Sequence, residues 1–447
     1  MKYEKWSFGY WCLKQYITFA TWLIHKKTIV TGREKIPKNK PVIFAPNHQN
    51  ALSDPMAILL NTSYQLVWLA RADIFNSKIL VNILRYMKIM PVYRLRDGKA
   101  NLNKNDQTFT DAVKVLEHNK ALALFPEAGH SGKRQMLPHK KAVPRIVFMA
   151  GEKAGFSLDV QIIPAGINYS HYWNFNRTVI VNFGDPIPVK DYFESYRKNP
   201  GAAIIELKNK IYQSILPLLI NIRSKIHYHD FERIRNIYSS HFLQKLNLPA
   251  DTLNQFRAEQ KLVNRLDQLE AEQPEQIKKI TQNVNAYVFR LKKLKIKNRL
   301  VDEQQNRPGK LLRNILMLIA GLPLFIYGLI FNAVPFYTLD RVVRKKVKDK
   351  TFWSTFFLVG GIILFPLVYL AELLVLSSWI PGIWLKLAFV VSLPFAGKLA
   401  YKWYILWLKT AGRFRIYRIK QRHGDQYKSL LNEKQEIFNQ LDELLLF

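Results

Sequence analysis

The chain has 447 residues, 49% of them hydrophobic, and its 67 Lys and Arg against 33 Asp and Glu give a formal net charge of +34, which predicts an anionic partner or surface. Its single cysteine, Cys12, excludes a disulfide scaffold and a multi-thiolate metal site, and the composition excludes collagen-like and low-complexity classes. Residues 314–339 and 351–371 contain no charged side chain and are each long enough to cross the roughly 30 Å core of a bilayer, which argues against a purely cytosolic protein.

The first 27 residues lack the short apolar core and small-residue cleavage site of a secretory signal, because bulky aromatic residues occur throughout. A segment of this kind, ending in His25, Lys26 and Lys27, is typical of a helix at a membrane surface, where Trp and Tyr rings prefer the headgroup zone. An amphipathic helix packed on the next domain would give the same pattern. We predict an N-terminal interfacial or membrane helix over residues 1–27, with the packed helix as the alternative.

An α/β domain is predicted over residues 28–225, with a central mixed sheet flanked by helices. The apolar character of its strands is largely continuous, which indicates a sheet covered on both faces. The predicted strands are residues 42–45, 66–70, 89–93, 121–125, 161–167 and 178–183. Helices are predicted around residues 109–116, over 144–154 and around 204–215, where Pro217 kinks or ends the last one.

Residues 226–310 are rich in Lys, Gln and Glu, with Pro249 and Pro274 as breaks, and predict a charged helical region. We interpret it as a solvated helical spacer rather than as a binding arm. A membrane-embedded helical region is predicted over residues 311–408, followed by a basic cytoplasmic tail over 409–447.

The basic residues around the apolar blocks predict their orientation, because basic loops tend to stay cytoplasmic. One basic loop separates the two blocks and a second basic cluster follows them, so residues 351–408 should cross an even number of times, as a hairpin turning near Pro381. A full crossing by the first block, from a cytosolic domain, would leave the basic loop on the wrong side. We therefore predict a broken, re-entrant or surface segment there, with the catalytic domain on the cytoplasmic face.

A histidine and an acid follow the first predicted strand of the sheet, where α/β folds expose reactive groups. Six residues of regular helix would leave His48 and Asp54 on different faces, so they can meet only across a loop. Asp54 followed by Pro55 predicts a helix that starts there, with Asp54 as its N-cap. Asp54 would then accept a proton from one imidazole nitrogen and leave the other to take a proton from a substrate hydroxyl. The alternative is a cap and a turn without chemistry.

A second polar segment, residues 125–134, again follows a strand and gathers an acid, a hydroxyl, glycines and cations. Such a loop suits a polyol phosphate, with Glu127 on a hydroxyl, Lys133 and Arg134 on phosphate, and glycine letting backbone amides approach. Arg94, at the end of the third strand, adds a cation at the same sheet edge. Each segment alone is also compatible with an ordinary surface turn.

Together these segments resemble, in order and spacing, the glycerolipid acyltransferase family (PlsC-type), which includes lysophosphatidate and glycerol-3-phosphate acyltransferases. The resemblance covers residues 28–187. It rests on four blocks: Asn47-His48 with Asp54, Ile89 to Arg94, Phe125-Pro126-Glu127-Ala128-Gly129-His130-Ser131, and Ile162-Ile163-Pro164-Ala165-Gly166.

The resemblance implies that His48 is the general base, oriented by Asp54, and that Arg94 binds substrate phosphate. It implies substrate binding by the third block, including Gly129, His130 and Ser131, and an acyl-donor side shaped by the fourth. Five residues lie between His48 and Asp54 instead of the usual four, as in the subset acting on glycerol-3-phosphate or dihydroxyacetone phosphate. His130 replaces an arginine, so phosphate binding must depend more on Arg94, Lys133 or Arg134.

The predicted function is transfer of a fatty acyl group from an acyl thioester, either acyl-CoA or acyl carrier protein, to a hydroxyl of glycerol-3-phosphate or lysophosphatidate. No covalent enzyme intermediate, bound cofactor or metal is expected, and the partners are membrane lipids, the acceptor and the donor. The alternatives are a membrane-anchored scaffold or nucleic-acid-binding protein without catalysis, for which we find no nucleic-acid motif, and an acyltransferase for another lipid acceptor.

Overall fold

The structure is a computed structural model of the chain that describes residues 3–93, 103–301 and 308–446. It divides into two compact units, the first comprising Met1–Leu219 with Leu339–Ile362, and the second Ile220–Thr338 with Ile363–Phe447. The predicted boundaries at residues 225 and 311 differ from this division. The segment that joins the first two apolar helices belongs with the α/β domain rather than with the membrane region.

The first unit contains an eight-stranded mixed sheet, which confirms the predicted fold class. Its strands are β1 (His25–Thr31), β2 (Val42–Pro46), β3 (Val67–Arg71), β4 (Ile89–Val92), β5 (Ala121–Ala123), β6 (Gln161–Tyr169), β7 (Arg177–Phe183) and β8 (Ile187–Pro188). Their spatial order is β1-β7-β6-β2-β5-β3-β4, with β8 paired to β6. The strands from β6 to β4 run parallel, β1 is parallel to β7, and β7 and β8 run antiparallel to β6.

Helices cover both faces of this sheet. They are α1 (Phe8–Ile24), α2 (Ser53–Leu59), α3 (Lys78–Tyr86), α4 (Lys104–Glu117), α5 (Ala142–Lys153), α6 (Phe193–Lys198) and α7 (Pro200–Ile215). In β2, Val42 and Phe44 pack in one core with α1 and α2, whereas Ile43 and Ala45 pack in the other with α4, α5 and α7. Because successive strand residues point to opposite faces, a sheet buried on both sides needs the uninterrupted apolar runs seen in the sequence.

The start of the domain differs from the prediction. α1 ends at Ile24 and β1 begins at His25, so Lys26 and Lys27 lie on a strand and not at the end of a membrane-surface helix. β1 is at the edge of the sheet and both lysines are exposed. Charged side chains are common on edge strands because they discourage pairing with other chains.

The parallel strands bring the chemical segments to one edge of the sheet. β2, β3, β4 and β5 are mutually parallel, so their carboxyl ends lie on the same side. The residues that follow these ends begin at Asn47, Ala72, Tyr93 and Leu124. In parallel sheets this edge is where ligands bind.

Four helices of the second unit form a packed bundle: α8 (Tyr228–Lys245), α9 (Thr252–Glu272), α10 (Pro274–Lys293) and α14 (Gly424–Leu446). Tyr238 and Tyr287 are fully buried, and buried Arg235 pairs with Glu232 and Glu259. The prediction of a solvated spacer is therefore wrong, as is that of a tail over 409–447. In the sequence, many long polar side chains surround the apolar residues that pack together in the core of the bundle.

Within the described residues, three helices are long and apolar enough to cross a membrane: α11 (Pro308–Lys346), α12 (Trp353–Leu376) and α13 (Ile383–Arg422). α12 and α13 match the predicted pair of helices. α11 is one continuous helix with Pro323 and Pro335 inside it, so the broken form of the predicted segment is wrong, whereas the re-entrant and surface forms stay predictions. Neighbouring helices can compensate for the hydrogen bonds that proline removes.

Polar and small residues hold these three helices together. Buried Asn332 of α11 donates to the Leu393 carbonyl of α13 and accepts from the Tyr369 hydroxyl of α12. A Cβ at Gly328 would lie 2.4 Å from the Ala396 carbonyl oxygen, so glycine is needed where α11 and α13 approach. Both features are typical of helix packing in membranes.

We predict that Gly166→Ala destabilises the first unit. A Cβ at this position on β6 would lie 2.2 Å from the Leu218 carbonyl oxygen, which also accepts from the side chains of Asn168 and Asn182. Overpacking of this kind costs about 1–3 kcal/mol, so the melting temperature of the chain in detergent should fall. Gly201→Ala in α7 is the control, because its Cβ would make only an ordinary contact at 3.5 Å. Equal melting temperatures for the two variants would contradict the prediction.

Candidate active site

His48 and Asp54 lie in contact at the carboxyl end of β2. The His48 Nδ1 to Asp54 Oδ2 distance is 2.9 Å, and the Asp54 side chain is fully buried while that of His48 is 14% exposed. When Nδ1 donates to the carboxylate, Nε2 is the nitrogen left to accept a proton. The pair therefore has the geometry of an imidazole base oriented by an acid.

A loop brings the two residues together, as the spacing requires. Residues 49–52 are non-helical, Ala51 has a φ of +36°, and α2 begins at Ser53 with Leu52 as its N-cap. The prediction that Asp54 is the N-cap is thus wrong. Its carboxylate turns back onto the loop, where Oδ2 accepts from the amides of Gln49 at 2.6 Å and Asn50 at 2.7 Å.

A tyrosine and an arginine from neighbouring strands complete the environment of Asp54. The Tyr169 hydroxyl on β6 donates to Asp54 Oδ1 at 2.8 Å. The guanidinium of buried Arg177, on β7, lies over the Tyr169 ring and donates to the Ser53 hydroxyl at 2.8 Å. Four donors on Asp54 suit a carboxylate in its ionised, acceptor-only form. Neither residue is predicted from the sequence, in which each is a polar side chain in an otherwise apolar strand.

The imidazole is held from its other face as well. The His48 ring stacks on Phe125 with centroids 3.9 Å apart and planes 12° apart. The Phe125 ring in turn stacks on Trp68. Phe125 is the first residue of the predicted third block, so this block helps to fix the orientation of the His48 imidazole.

Glu127 is engaged inside the protein. It is 3% exposed, and its two oxygens accept from the amides of His48 at 2.8 Å and Leu137 at 2.7 Å. Burial leaves little of the carboxyl surface open to the predicted contact with a substrate hydroxyl. The geometry favours a bracing role, in which Glu127 ties the loop after β5 to His48.

The rest of the third block surrounds His48. The His130 ring lies edge-on to the His48 ring with centroids 5.0 Å apart, and the Gly132 amide donates to the Gln49 carbonyl. The Ser131 hydroxyl accepts from the Lys133 amide, which closes a local turn. A Cβ at Gly129 would meet nothing within 4 Å, so the backbone there is open to a ligand.

His130 has a lowered pKa. Burial is the main cause, and the neighbouring His48 lowers the pKa further. The imidazole is therefore neutral near pH 7, and it does not replace the charge of the arginine that the resembled family has in this position.

The predicted cations have different positions. Lys133 is exposed, whereas Arg134 is buried and donates to the carbonyls of Tyr169 and Ser170. Arg94 lies outside the described residues. Arg71, at the carboxyl end of β3, was missed; it is exposed, pairs with Asp73 and is close enough to lower the pKa of His130. Like Arg94, Arg71 directly follows a predicted strand of the sheet in the sequence.

The fourth block lies in β6, beside β2, and is buried throughout. Just before His48, the Asn47 side chain accepts from the Ile167 amide at 2.6 Å and donates to the Ile167 carbonyl. This clasp fixes the end of β2 against β6. Among the residues that the structure describes, no three His, Cys, Asp or Glu side chains form a metal-binding cluster.

Comparisons with known proteins agree with the resemblance drawn from the sequence. Residues 27–168 match the family model described as Acyltransferase. Glycerol-3-phosphate O-acyltransferase 1 of Saccharomyces cerevisiae is 25% identical over 248 residues, which are 54% of this chain and 32% of that protein. The 1-acyl-sn-glycerol-3-phosphate acyltransferase of Borreliella burgdorferi is 31% identical over 113 residues, 25% of this chain and 42% of that protein.

The chain also matches the crystal structure of the 1-acyl-sn-glycerophosphate acyltransferase PlsC from Thermotoga maritima. The match extends over 46% of this chain and 78% of the PlsC chain, with 20% sequence identity and a TM-score of 0.33. The chain spans about a third of the length of the yeast relative and less than half of the bacterial one. The predicted recognition is confirmed over the first part of the α/β domain, from residue 27 to residue 168.

We predict that Glu127 makes stability pH-dependent. Burial raises its pKa from the ordinary 4.5 to about 8, although the two amides oppose the shift. The native state therefore holds a proton that the unfolded chain has lost between these values. The free energy of unfolding should fall by up to about 1.4 kcal/mol per pH unit as the pH rises from 5 to 8.

Glu127→Gln removes this titration but keeps an oxygen for the His48 amide. Its second group, an NH₂, then faces the Leu137 amide, at a cost that does not change with pH. The melting temperature of the wild type should thus approach that of Glu127→Gln as the pH rises from 5 to 8. The exposed Glu194→Gln is the control and should run parallel to the wild type. Parallel curves for Glu127→Gln would contradict the assignment.

Proposed function

We propose, from the match of residues 27–168 to the Acyltransferase family model, that the chain transfers a fatty acyl group from an acyl thioester to a hydroxyl of glycerol-3-phosphate. The observation that carries the proposal is the His48–Asp54 contact at the carboxyl end of β2. It supplies a base that is oriented, partly exposed and next to an open glycine loop. These are the requirements for activating a hydroxyl without a covalent intermediate.

In the proposed reaction, His48 Nε2 takes the proton of the acceptor hydroxyl as its oxygen bonds to the thioester carbonyl carbon. Asp54 stabilises the imidazolium that forms. The carbon–sulfur bond then breaks, and the departing thiolate takes the proton back from Nε2. The acceptor leaves as an ester, the donor leaves as a thiol, and His48 returns to its neutral form.

Two further features support binding of a charged transition state and a phosphate. The open backbone around Gly129 allows close approach of an oxyanion to the amides of this turn. Arg71 is an exposed cation at the carboxyl end of β3, Lys133 is exposed in the loop after β5, and Arg94 follows β4 in the sequence. Arg134 does not belong to this set, because its guanidinium is bound to buried carbonyls.

The acceptor is assigned from two observations. The five-residue spacing between His48 and Asp54 resembles the subset acting on glycerol-3-phosphate or dihydroxyacetone phosphate, and the yeast relative is named a glycerol-3-phosphate O-acyltransferase. Lysophosphatidate is the second candidate, because the relative from Borreliella burgdorferi is named a 1-acyl-sn-glycerol-3-phosphate acyltransferase. The donor is acyl-CoA or acyl carrier protein, since both present a thioester.

A membrane location follows from the apolar helices. The ends of α1 and α3 approach closely, since a Cβ at Gly9 would lie 2.1 Å from the Tyr86 hydroxyl, and both helices carry exposed apolar side chains. The exposed side chains are Phe8, Trp11, Phe19 and Trp22 on α1, Ile79, Leu80, Ile83 and Tyr86 on α3, and Trp6 just before α1. Aromatic residues of this kind prefer the membrane interface.

We place the acyltransferase domain on the cytoplasmic face. The basic loop between α11 and α12 includes Arg341, Lys345 and Lys348, and it belongs to the same compact unit as the domain. Basic loops stay cytoplasmic, so the domain does too. Only residues 363–376 of α12 extend beyond this unit, about 21 Å of helix, which is shorter than a hydrocarbon core of roughly 30 Å. The docked turns of α12 must therefore lie close to the apolar layer.

We predict that His48→Ala abolishes acyl transfer. The full chain in phospholipid vesicles should move labelled acyl groups from acyl-CoA to glycerol-3-phosphate, and the variant should be at least about 100-fold slower because the general base is lost. His118→Ala is the control, since His118 is exposed at the end of α4. Parallel assays with lysophosphatidate and with acyl carrier protein identify the preferred pair by kcat/KM.

Each outcome distinguishes one interpretation. A wild-type chain that acylates no glycerolipid acceptor would favour the scaffold, and nucleic-acid binding would then be measured directly. Equal rates for wild type and His48→Ala would refute the assignment of the base. A preference for lysophosphatidate would replace the proposed acceptor with the second candidate.

We also predict that Tyr169→Phe lowers kcat about tenfold with little change in KM. The variant keeps the ring under Arg177 but removes one hydrogen bond to Asp54, and a hydrogen bond to a charged group is worth about 1.5–3 kcal/mol. Tyr64→Phe is the matched control, because its hydroxyl bonds to the Pro37 carbonyl away from the site. A loss in Tyr64→Phe equal to that in Tyr169→Phe would indicate a general effect on stability.

A further inference from the structure

The first turns of α12 pack on the acyltransferase domain, although the helix is apolar enough to span a membrane. Leu358 lies in the core that includes Phe44 and Met56, and the Phe357 ring contacts Phe175 with centroids 5.1 Å apart. The Tyr16 hydroxyl of α1 donates to the Ile362 carbonyl at 2.6 Å. Residues 353–362 are therefore part of the domain.

Two hydroxyls in these turns hold the loop that precedes α2. The Ser354 hydroxyl donates to Asn50 Oδ1 at 2.6 Å, and the Thr355 hydroxyl accepts from the Leu52 amide at 3.1 Å. Both Asn50 and Ser354 are buried. Leu52 is the N-cap of α2, and its side chain makes no capping hydrogen bond. α12 therefore supplies a partner for the Leu52 amide that the loop itself does not provide.

This loop is the one that binds Asp54. The Asn50 side chain faces α12 while the Asn50 amide donates to Asp54 Oδ2, next to the amide of Gln49. One residue thus links α12 directly to the carboxylate that orients His48. Displacing the loop would remove two of the four donors on Asp54 and leave a buried charge poorly solvated.

The link that leads into α12 also holds the third block. The Thr351 hydroxyl donates to Asp349 Oδ1 at 2.7 Å, so its oxygen is the acceptor for His130 Nε2 at 3.2 Å. This fixes His130 with the proton on Nε2. The ring of Phe352 lies edge-on to His130, with centroids 5.0 Å apart.

We propose that Ser354 and Thr355 are positioning residues of the acyl-transfer site, which is assembled only while the start of α12 is docked on the domain. The inference rests on the proposed function and adds to it a role for the membrane helix. Because the loop that serves Asp54 is completed by residues about 300 positions away, catalysis depends on the apolar helix and not only on the α/β domain.

The test is the double variant Ser354→Ala/Thr355→Val in the full chain, reconstituted in phospholipid vesicles. We expect kcat to fall about tenfold with KM for glycerol-3-phosphate within twofold of the wild type, because a misplaced base slows the chemical step. Hydrogen exchange, followed by mass spectrometry, should become at least about tenfold faster in peptides that contain Gln49, Asn50 and Leu52. Thr355→Ser keeps the hydroxyl and should retain wild-type values of both.

Ser377→Ala is the matched control, since Ser377 follows the other end of α12 and bonds to the Leu374 carbonyl. Unchanged kcat and unchanged exchange in the double variant would overturn the proposal. If the double variant does not fold, Thr355→Val alone provides the same comparison. If the wild type has no acyltransferase activity, the proposed function fails, and the exchange measurement by itself decides whether α12 holds the loop.

Discussion

The buried charge of Asp54 is the constraint on which the site depends. A carboxylate removed from water is stable only if hydrogen bonds replace its solvation. Here the donors come from His48, from two amides of the following loop, and from Tyr169 on the adjacent strand. The chain must therefore bring β2, the loop and β6 together before the charge can be buried. The same bonds orient the His48 imidazole, so the stability of this region and the proposed chemistry depend on one arrangement.

A second buried carboxyl serves a different purpose. Glu127 accepts from two amides where Asp54 accepts from four groups, and burial raises the pKa of Glu127 to about 8. Its bonds join His48 to the loop after β5, while the amide of Gly132 joins that loop to Gln49. Asp54 thus holds the loop after β2, whereas Glu127 links His48, at the start of that loop, to Leu137 in the loop after β5. Of these two acids, Asp54 is the one that bonds to the imidazole, whereas Glu127 bonds to the His48 backbone amide.

The sequence predicts those features that depend on local patterns. The apolar runs predict six of the eight strands, β2 to β7, but not β1 or the two-residue β8, and the order of strand ends brings His48 and the third block to one edge, because parallel strands place their carboxyl ends together. The sequence also predicts the contact of His48 with Asp54, on the condition that a loop and not a regular helix joins them. The N-cap assignment fails because it considers only the helix that Asp54 begins, and not the loop amides to which its carboxylate turns.

The features that the sequence does not predict depend on contacts between residues far apart in the chain. Tyr169, Arg177 and Arg71 gave no motif, and their roles depend on which strands become neighbours. Composition does not distinguish the helical bundle from a solvated spacer, because long polar side chains dominate it. Hydropathy places residues 339–362 in the membrane region because it does not indicate what an apolar helix packs against.

The hydroxyls of Ser354 and Thr355 link the packing of α12 on the domain to the loop that binds Asp54. A helix that enters an apolar layer and also supports a polar site needs groups that hydrogen-bond without carrying charge. Ser and Thr meet both requirements, because their hydroxyls can bond to the preceding turn of the same helix when no other partner is present. Ser354 and Thr355 therefore allow one segment to be apolar enough to span a membrane and still complete the loop around Asp54. A Lys or Asp in their place would supply a stronger bond, but the charge would cost several kcal/mol at the membrane surface or below it.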